Sequence, residues 1–249
     1  MPKNIILTGS TSGIGLELAK NLILHGNIVH IIGRNFEKYS STIHKWCIDQ
    51  GKTDFCSWTY YDFSDGSKDF SEEINELPKC SGFVNSAGLL PISPLKFQDP
   101  KDIHDTIFVN LLSPILFTRE LIRLNKIEKG GSMVFLSSIN GTKVGTKAHA
   151  VYSATKGGIA GFVMSLANEV SSLGIRVNSV APGSVDSPML DKTKNLMGQK
   201  SFDNYINQYP LGMGSPTSIV SLIDFLLNNE LSSWITGQNI VVDGGFTLN

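Results

Sequence analysis

The chain has 249 residues, of which 41% are hydrophobic and 17% are charged, and its formal net charge is −1. This composition is typical of a globular protein with a sizeable core. The near-neutral charge argues against binding to nucleic acid or to an anionic membrane surface. The three cysteines are odd in number and lack metal-ligand spacing, which indicates reduced thiols in a cytoplasmic protein. The five histidines form no HxxxH or HxH pair, so no metal site is predicted.

Membrane and export segments are not expected either. No apolar run approaches the roughly 20 residues that a helix needs to cross a bilayer. The N-terminal run Ile5-Ile6-Leu7 is too short for a signal peptide.

Apolar runs alternate with helical segments along the whole chain. The predicted strands are Ile5–Thr8, Ile28–Ile32, Phe55–Tyr61, Gly82–Asn85, Ser132–Ser137, Ile175–Val180 and Ile240–Val242. The predicted helices cover about 14–25, a more polar segment to Gln50, and then Asp65–Glu76, Lys101–Asn125, Ala150–Leu173 and Ser218–Asn228.

The strands are uninterrupted apolar runs, a pattern typical of a parallel sheet with helices on both faces. We predict a single α/β domain over residues 1–249, a doubly wound, Rossmann-like parallel sheet of about seven strands. The cofactor half should cover about 1–135 and the catalytic and substrate half about 136–249.

A glycine-rich loop follows the first strand: Gly9, Ser10, Thr11, Ser12, Gly13, Ile14 and Gly15. Backbone N–H groups and the positive end of the next helix make such a loop a phosphate site. Because Gly13 and Gly15 lack Cβ, a pyrophosphate and a neighbouring strand can approach closely. The spacing is Gly-x-x-x-Gly-x-Gly, and strand-to-helix turns also use glycine for structural reasons alone.

Tyr152 and Lys156 stand four residues apart, and Ser138 precedes the tyrosine by 14 residues. On a helix, a phenol and an ammonium at this spacing share a face. A nearby cation favours the phenolate, so we expect Lys156 to lower the pKa of Tyr152. With the serine hydroxyl, the pair can move a proton to or from a carbonyl oxygen while hydride comes from a cofactor. The alternative is a surface Tyr-Lys contact.

The full set of motifs resembles the short-chain dehydrogenase/reductase family in its single-domain branch of about 250 residues. The resemblance covers essentially the entire chain. The segments that carry it are Thr8 to Gly15, Asn85-Ser86-Ala87-Gly88, Asn110, Ser137-Ser138, Tyr152-x-x-x-Lys156, Pro182-Gly183, Ile235-Thr236-Gly237-Gln238 and Val242-Asp243-Gly244-Gly245.

The resemblance implies roles for individual residues. The catalytic set would be Asn110, Ser138, Tyr152 and Lys156, with Tyr152 as general acid in reduction and general base in oxidation. Asn110 would hold a water in a proton relay, and Lys156 would also hydrogen-bond the nicotinamide ribose. Gly141, matched to the family pattern, selects Ser138 over Ser137. The cofactor set would be Gly9, Ser10, Gly13, Ile14, Gly15, Arg34, Asp62, Phe63, Asn85, Ala87, Gly88, Tyr152, Lys156, Pro182, Gly183, Val185 and Ser187.

The end of the second strand bears on the choice of dinucleotide. Members of the family that bind NAD usually have an acidic residue there, whereas this chain has Gly33 followed by Arg34. A guanidinium can donate a pair of charge-assisted hydrogen bonds to a 2′-phosphate. We therefore expect NADP(H) in preference to NAD(H). Ser12 is not the basic residue that some NADP-binding members carry, and Arg34 as a solvated loop residue is the alternative.

Three stretches should recognise a small carbonyl or alcohol substrate: Leu89–Phe97, Ile139–Ala150 and Ser187–Leu211. The second has polar residues (Asn140, Lys143, His149), and the third has an apolar set that includes Leu196 and Met197. The second stretch favours a polar substrate, whereas the third favours an apolar one.

The overall appearance is nearest to 3-oxoacyl-[acyl-carrier-protein] reductases, which dock an acidic carrier protein through basic residues. Lys129 stands at one such place. Leu173 and Met213 stand where arginines are expected. A reductase of another ketone, a catalytically silent nucleotide sensor and a nucleotide-sugar epimerase or dehydratase are the alternatives. The resemblance also implies a homo-oligomer, a tetramer or dimer, formed through Lys101–Asn125 and Ala150–Leu173.

Overall fold

The computed structural model describes residues 2–65 and 70–248, with the backbone alone for Lys192. Within these residues, seven parallel strands form one sheet in the order β3-β2-β1-β4-β5-β6-β7. The strands are β1 Asn4–Thr8, β2 Ile28–Gly33, β3 Cys56–Tyr60, β4 Cys80–Asn85, β5 Ile127–Leu136, β6 Arg176–Pro182 and β7 Asn239–Val242. The predicted doubly wound parallel sheet is confirmed.

The order of the strands creates a crevice. Consecutive strands are added on one side of β1 up to β3, and the chain then crosses to place β4 on the other side. The loops that leave β1 and β4 therefore diverge, which opens a ligand-binding crevice beyond the carboxyl ends of these strands. The glycine loop follows β1 and lies at this crevice.

Eleven α-helices lie within the described ranges. They are α1 Gly13–Leu24, α2 Phe36–Tyr39, α3 Lys45–Asp49, α4 Ser71–Glu76, α5 Pro100–Ile107, α6 Ser113–Arg123, α7 Ala150–Val170, α8 Pro188–Met197, α9 Gln199–Ile206, α10 Pro216–Leu227 and α11 Asn229–Ser232. Segments with π-helical hydrogen bonding join α2 to α3 (Ser40–His44) and α5 to α6 (Phe108–Leu112).

The helix boundaries correct some sequence predictions. The long helices predicted to end near Gln50 and to cover Lys101–Asn125 each contain a π-helical turn, which apolar periodicity does not reveal. Of the predicted helix Asp65–Glu76, residues 66–69 lie outside the described residues, and α4 begins at Ser71. The helices α8 and α9 were not predicted, because their sequences are polar and short.

Two hydrophobic cores cover the two faces of the sheet. One is mostly aliphatic and includes Leu18 and Leu22 of α1 and Ile223 of α10. The other is rich in aromatic rings, and Phe83 of β4 packs against Phe117 of α6 with ring centroids 5.3 Å apart. Because both faces are covered, most positions of the strands carry apolar side chains. Within residues 2–65 and 70–248, no helix combines the length and apolar character that crossing a membrane requires.

Candidate functional site

A cleft of about 800 Å³ lies at the carboxyl edge of the sheet. Its walls come from four segments that the sequence separates widely: the glycine loop, the ends of β2 to β5, the start of α7, and residues 182–205. Sixteen of the predicted site residues line it: Gly9, Ser10, Gly13, Ile14, Arg34, Asp62, Phe63, Ala87, Gly88, Ser138, Tyr152, Lys156, Pro182, Gly183, Val185 and Ser187. The fold thus assembles most of the predicted site in one place.

The glycine loop presents unused polar groups to this cleft. The hydroxyl of Ser10 is buried and has no hydrogen-bond partner among the described residues. Ser12 precedes α1 but makes no capping hydrogen bond with its side chain, so N–H groups of the first turn are free for a ligand. A buried hydroxyl donor beside a positive helix end suits an anion. These residues fit the pyrophosphate of a dinucleotide.

Two of the predicted cofactor residues lie behind the cleft wall. A Cβ on Gly15 would stand 2.2 Å from the Gly9 carbonyl oxygen, so this glycine permits α1 to approach the loop. Asn85 is buried and accepts a hydrogen bond of 2.9 Å from the Thr8 hydroxyl. Gly15 therefore shapes the loop and Asn85 joins β1 to β4, and neither residue lines the cleft.

Arg34 stands at the end of β2, over the outer part of the cleft. Its guanidinium lies 3.4 Å from the Asp62 carboxylate and donates to the Ser64 hydroxyl at 3.2 Å. Burial favours the neutral acid, but hydrogen bonds from Ser64 and the Arg34 charge outweigh it and lower the pKa of Asp62. The Arg34 side chain remains 57% exposed, so this pair is weak and leaves donors for a ligand.

Sequence reasoning missed the residues that surround Arg34. Lys38 of α2 and Trp58 of β3 also line the cleft. Lys38 follows Arg34 by four residues, and this spacing on the strand-to-helix connection was the available signal. Trp58 stacks on Tyr39 with ring centroids 4.8 Å apart, a contact between β3 and α2 that only the fold creates.

The two serines after β5 have different surroundings. The Ser137 hydroxyl donates to the Val180 carbonyl oxygen at 3.0 Å and to the Asn239 side-chain oxygen at 2.6 Å. It therefore ties β5 to β6 and β7. The Ser138 hydroxyl accepts from the Asn140 N–H at 3.1 Å and hydrogen-bonds Tyr152. Of the two serines, Ser138 is the one that the structure brings to the tyrosine, and its catalytic role stays a prediction.

Tyr152 and Lys156 lie one turn apart near the start of α7, and both side chains are at least 90% buried. The ammonium lies 5.7 Å from the centre of the phenol ring and donates to the Leu136 carbonyl oxygen at 2.7 Å. The pair therefore shares one wall of the cleft, and the alternative of a surface contact is wrong.

The expectation that Lys156 lowers the pKa of Tyr152 is wrong. Burial disfavours the phenolate and raises the pKa of Tyr152, and the hydrogen bond with Ser138 opposes this only in part. Burial likewise lowers the pKa of Lys156 to about 8. Desolvation is the largest cause of both pKa shifts, and the protein therefore favours the neutral phenol.

Gly141 explains how the serine reaches the tyrosine. It has φ +85°, and a Cβ at this position would stand 2.0 Å from the Ser153 carbonyl oxygen. Only glycine allows the loop after Ser138 to lie directly on the first turn of α7. Gly141 therefore sets how closely the segment after β5 approaches α7.

Asn110 is fully buried in the π-helical turn between α5 and α6. Its side chain accepts from the Leu89 N–H at 2.7 Å and donates to the Leu89 carbonyl oxygen at 2.9 Å and to the Thr155 hydroxyl at 3.2 Å. These bonds fix the segment after β4 against α7. The side chain lies behind the cleft lining, and its role in a proton relay stays a prediction.

A hydroxyl network supports the loop after β6. Tyr205 of α9 hydrogen-bonds the Ser184 hydroxyl at 2.7 Å and the Tyr209 hydroxyl at 2.9 Å. Tyr209 in turn accepts from the Ser184 N–H at 3.0 Å. This network attaches α9 to the segment from Pro182 to Ser187. Sequence analysis missed the Tyr205 hydroxyl as a support for the cleft.

Metal chemistry has no candidate site in the part of the chain that the structure describes. No three histidine, cysteine, aspartate or glutamate side chains are grouped there as metal ligands.

The fold and the cleft define a dinucleotide-binding α/β protein, and comparison with known proteins identifies its family. Residues 9–247 match the sequence model of a family described as enoyl-(acyl carrier protein) reductase. The chain is 31% identical to 3-oxoacyl-[acyl-carrier-protein] reductase FabG of Rickettsia felis, over 99% of this chain and 97% of that protein. It is 33% identical to carbonyl reductase family member 4 of Danio rerio, over 100% and 99% of the two chains.

A solved structure supports the same family. A variant of actinorhodin polyketide ketoreductase, crystallised with NADPH, superimposes with a TM-score of 0.87 at 26% identity, over 100% of this chain and 98% of that one. The chain belongs to the short-chain dehydrogenase/reductase family. It is an oxidoreductase that acts on a carbonyl or alcohol group with a nicotinamide cofactor.

Proposed function

We propose that the protein is an NADP(H)-dependent carbonyl reductase with Tyr152 as its proton donor. The observation that carries this proposal is the convergence of Ser138, Tyr152 and Lys156 on one buried wall of a cleft that begins at the glycine loop. A bound nicotinamide supplies the hydride. The protein's part is to hold the carbonyl compound and to provide the proton.

The three side chains divide this work. The Ser138 hydroxyl donates a hydrogen bond to the carbonyl oxygen and orients it toward the phenol. Tyr152 donates its proton to the oxygen as negative charge develops there. A phenol with a raised pKa stays protonated at neutral pH, which suits reduction better than oxidation. The Lys156 ammonium, anchored on the Leu136 carbonyl oxygen, stabilises the phenolate that remains.

The preference for NADP(H) is proposed from the charge at the end of β2. Arg34 and Lys38 both line the outer cleft, and a phosphate there gains charge-assisted hydrogen bonds. Asp62 neutralises Arg34 only in part, because the two groups lie 3.4 Å apart and are open to solvent. ElxO, at 26% identity, has been solved with NADP bound, which supports this choice.

The test is consumption of NADPH and of NADH against a panel of ketones, with Tyr152→Phe as the matched control. We expect turnover with NADPH, weaker turnover with NADH, and none above background for the variant. Binding of NADPH to the variant, measured by fluorescence, should persist because the phenol oxygen is not needed for affinity. Tight NADPH binding without turnover of any ketone would instead indicate a nucleotide sensor. Cofactor that is recycled without net reduction would indicate an epimerase.

A second candidate is a 3-oxoacyl-[acyl-carrier-protein] reductase, the name of several curated relatives. Against it, Leu173 and Met213 stand where basic docking residues are expected, and both are exposed apolar residues. Reduction of acetoacetyl-carrier protein should be compared with that of a short acetoacetyl thioester. A much higher kcat/KM for the carrier-bound form would favour this candidate.

We also propose a homo-oligomer formed through the helices that flank the cleft. Ile107, Leu112 and Met164 are large apolar residues on α5 to α7 that are 41–60% exposed. Such a surface is typical of a subunit interface. Light scattering at several protein concentrations tests this, and a stable monomer would contradict it.

A further inference from the structure

His149 is a buried histidine on the wall of the cleft, immediately before α7. It is 7% exposed, and its ring lies 6.3 Å from the Tyr152 ring at an angle of 78°. Although it occupies the N-cap position of α7, its side chain makes no capping hydrogen bond. Capping therefore does not explain why a polar ring is buried there.

The hydrogen bonds of the ring show which nitrogen is available. Nδ1 lies 2.8 Å from the Lys147 carbonyl oxygen. Because a carbonyl oxygen only accepts, Nδ1 carries the hydrogen. In the neutral imidazole, Nε2 is then a hydrogen-bond acceptor. Nε2 has no partner among the described residues and is not one of their fully enclosed polar atoms, so it faces the cleft.

The loop before His149 is fixed in a conformation that favours this orientation. Ala148 has φ +64°, a left-handed conformation that residues with a side chain seldom adopt. Its carbonyl oxygen accepts from the Ser93 N–H at 3.2 Å. Thr146 donates to the Asn140 side chain at 2.6 Å, and the Asn140 N–H donates to Ser138. The imidazole is therefore held at a set position relative to the serine and the phenol.

We propose that His149 is a specificity-determining residue that accepts a hydrogen bond from a substrate hydroxyl on the carbon next to the reacting carbonyl. The preferred substrates are then α-hydroxyketones. The inference rests on the proposed reductase function, because it assumes that the carbonyl oxygen binds at Ser138 and Tyr152. The imidazole is close to the phenol, with 6.3 Å between the ring centroids, and lines the same cleft, which places it to meet a hydroxyl one carbon from the carbonyl.

The surrounding cleft makes this contact selective. Leu90, Ile92 and Met189 line the same cleft with apolar side chains. A bound ketone without the hydroxyl covers Nε2 and gives it no partner, and such a mismatch lowers kcat/KM. An α-hydroxyketone gives Nε2 a hydrogen-bond donor and so avoids this loss.

The experiment compares acetoin with butanone, which differ only in the hydroxyl next to the carbonyl. kcat/KM is measured with NADPH for the wild type, His149→Phe and His149→Gln. Phenylalanine keeps an aromatic ring against Tyr152 and removes Nε2, whereas glutamine restores an acceptor. His104→Phe is the matched control, since His104 is an exposed histidine of α5 that does not line the cleft.

We expect the wild type to prefer acetoin, and His149→Phe to lower that preference by about tenfold, a typical effect of one hydrogen bond. His149→Gln should recover most of it, and His104→Phe should not change it. An equal loss for both ketones in His149→Phe, or no wild-type preference, overturns the inference while leaving the reductase function intact. No reduction of acetoin, with reduction of other ketones in the panel, overturns the inference alone, whereas no NADPH consumption with any ketone overturns both.

Discussion

The cleft has two walls of opposite character. The inner wall, formed by Ser138, Tyr152 and Lys156, is at least 90% buried, and each polar group has a partner in the protein. The lid, which we define as residues 188–206 of α8 and α9, has Leu196 66% exposed and Met197 39% exposed. Buried polar atoms need specific partners, so the inner wall has one arrangement. Exposed apolar side chains need none, so Leu196 and Met197 are less tightly specified than the inner wall.

The largest expected effect is at the phenol. Tyr152→Phe should lower kcat for ketone reduction by at least about a thousandfold, because general acid catalysis typically contributes between 10² and 10⁴. The measurement is NADPH consumption under saturating ketone. If a tenth of the wild-type rate remains, the Tyr152 phenol is not the proton donor, and the inner wall is not the catalytic one.

Ser138→Ala should lower kcat by about a hundredfold, as loss of one hydrogen-bond donor to a developing oxyanion does. Ser137→Ala is the matched control. It removes the bonds to Val180 and Asn239 and should lower the free energy of unfolding by about 1 kcal/mol while most activity remains. Equal losses of kcat in the two variants would contradict the assignment of Ser138, and not Ser137, as the serine that contacts the substrate.

The rate of reduction should fall as the pH rises through about 8. The pKa of Lys156 is lowered to about 8 by burial, so the ammonium is present below that pH and is lost above it. The raised pKa of Tyr152 keeps the phenol protonated across this range. A pH profile of kcat checks this, with Lys156→Arg as the control, since a guanidinium stays charged and should remove the decline. A decline that persists in this variant must come from another group.

Arg34→Ala should raise the KM for NADPH about tenfold and change the KM for NADH much less, since a charge-assisted hydrogen bond contributes roughly 1.5–3 kcal/mol. Steady-state kinetics with both cofactors give the comparison. Equal effects on both would mean that Arg34 does not contact a 2′-phosphate.

The smallest effect on stability is expected in the lid. Leu196→Asn should change the free energy of unfolding by less than about 0.5 kcal/mol, because the side chain is 66% exposed. The KM for apolar ketones should rise severalfold, whereas that for acetoin should change less. Chemical denaturation and kinetics test the two parts separately. A large loss of stability would show that the lid is as tightly specified as the inner wall.

Much of this protein follows from local sequence. Continuous apolar strands require a sheet covered on both faces, so the seven strands and their parallel arrangement could be predicted. The glycine loop, Tyr152 and Lys156 could be placed because their spacing on a helix or a turn is fixed by backbone geometry.

Only the tertiary structure decided the remaining features, because they depend on contacts between distant segments. The raised pKa of Tyr152 and the lowered pKa of Lys156 come from burial, and burial depends on what packs above α7. The places of Asn85 and Asn110 behind the wall depend on their bonds to Thr8 and to Leu89. The free Nε2 of His149 depends on a left-handed Ala148, which neither composition nor periodicity records.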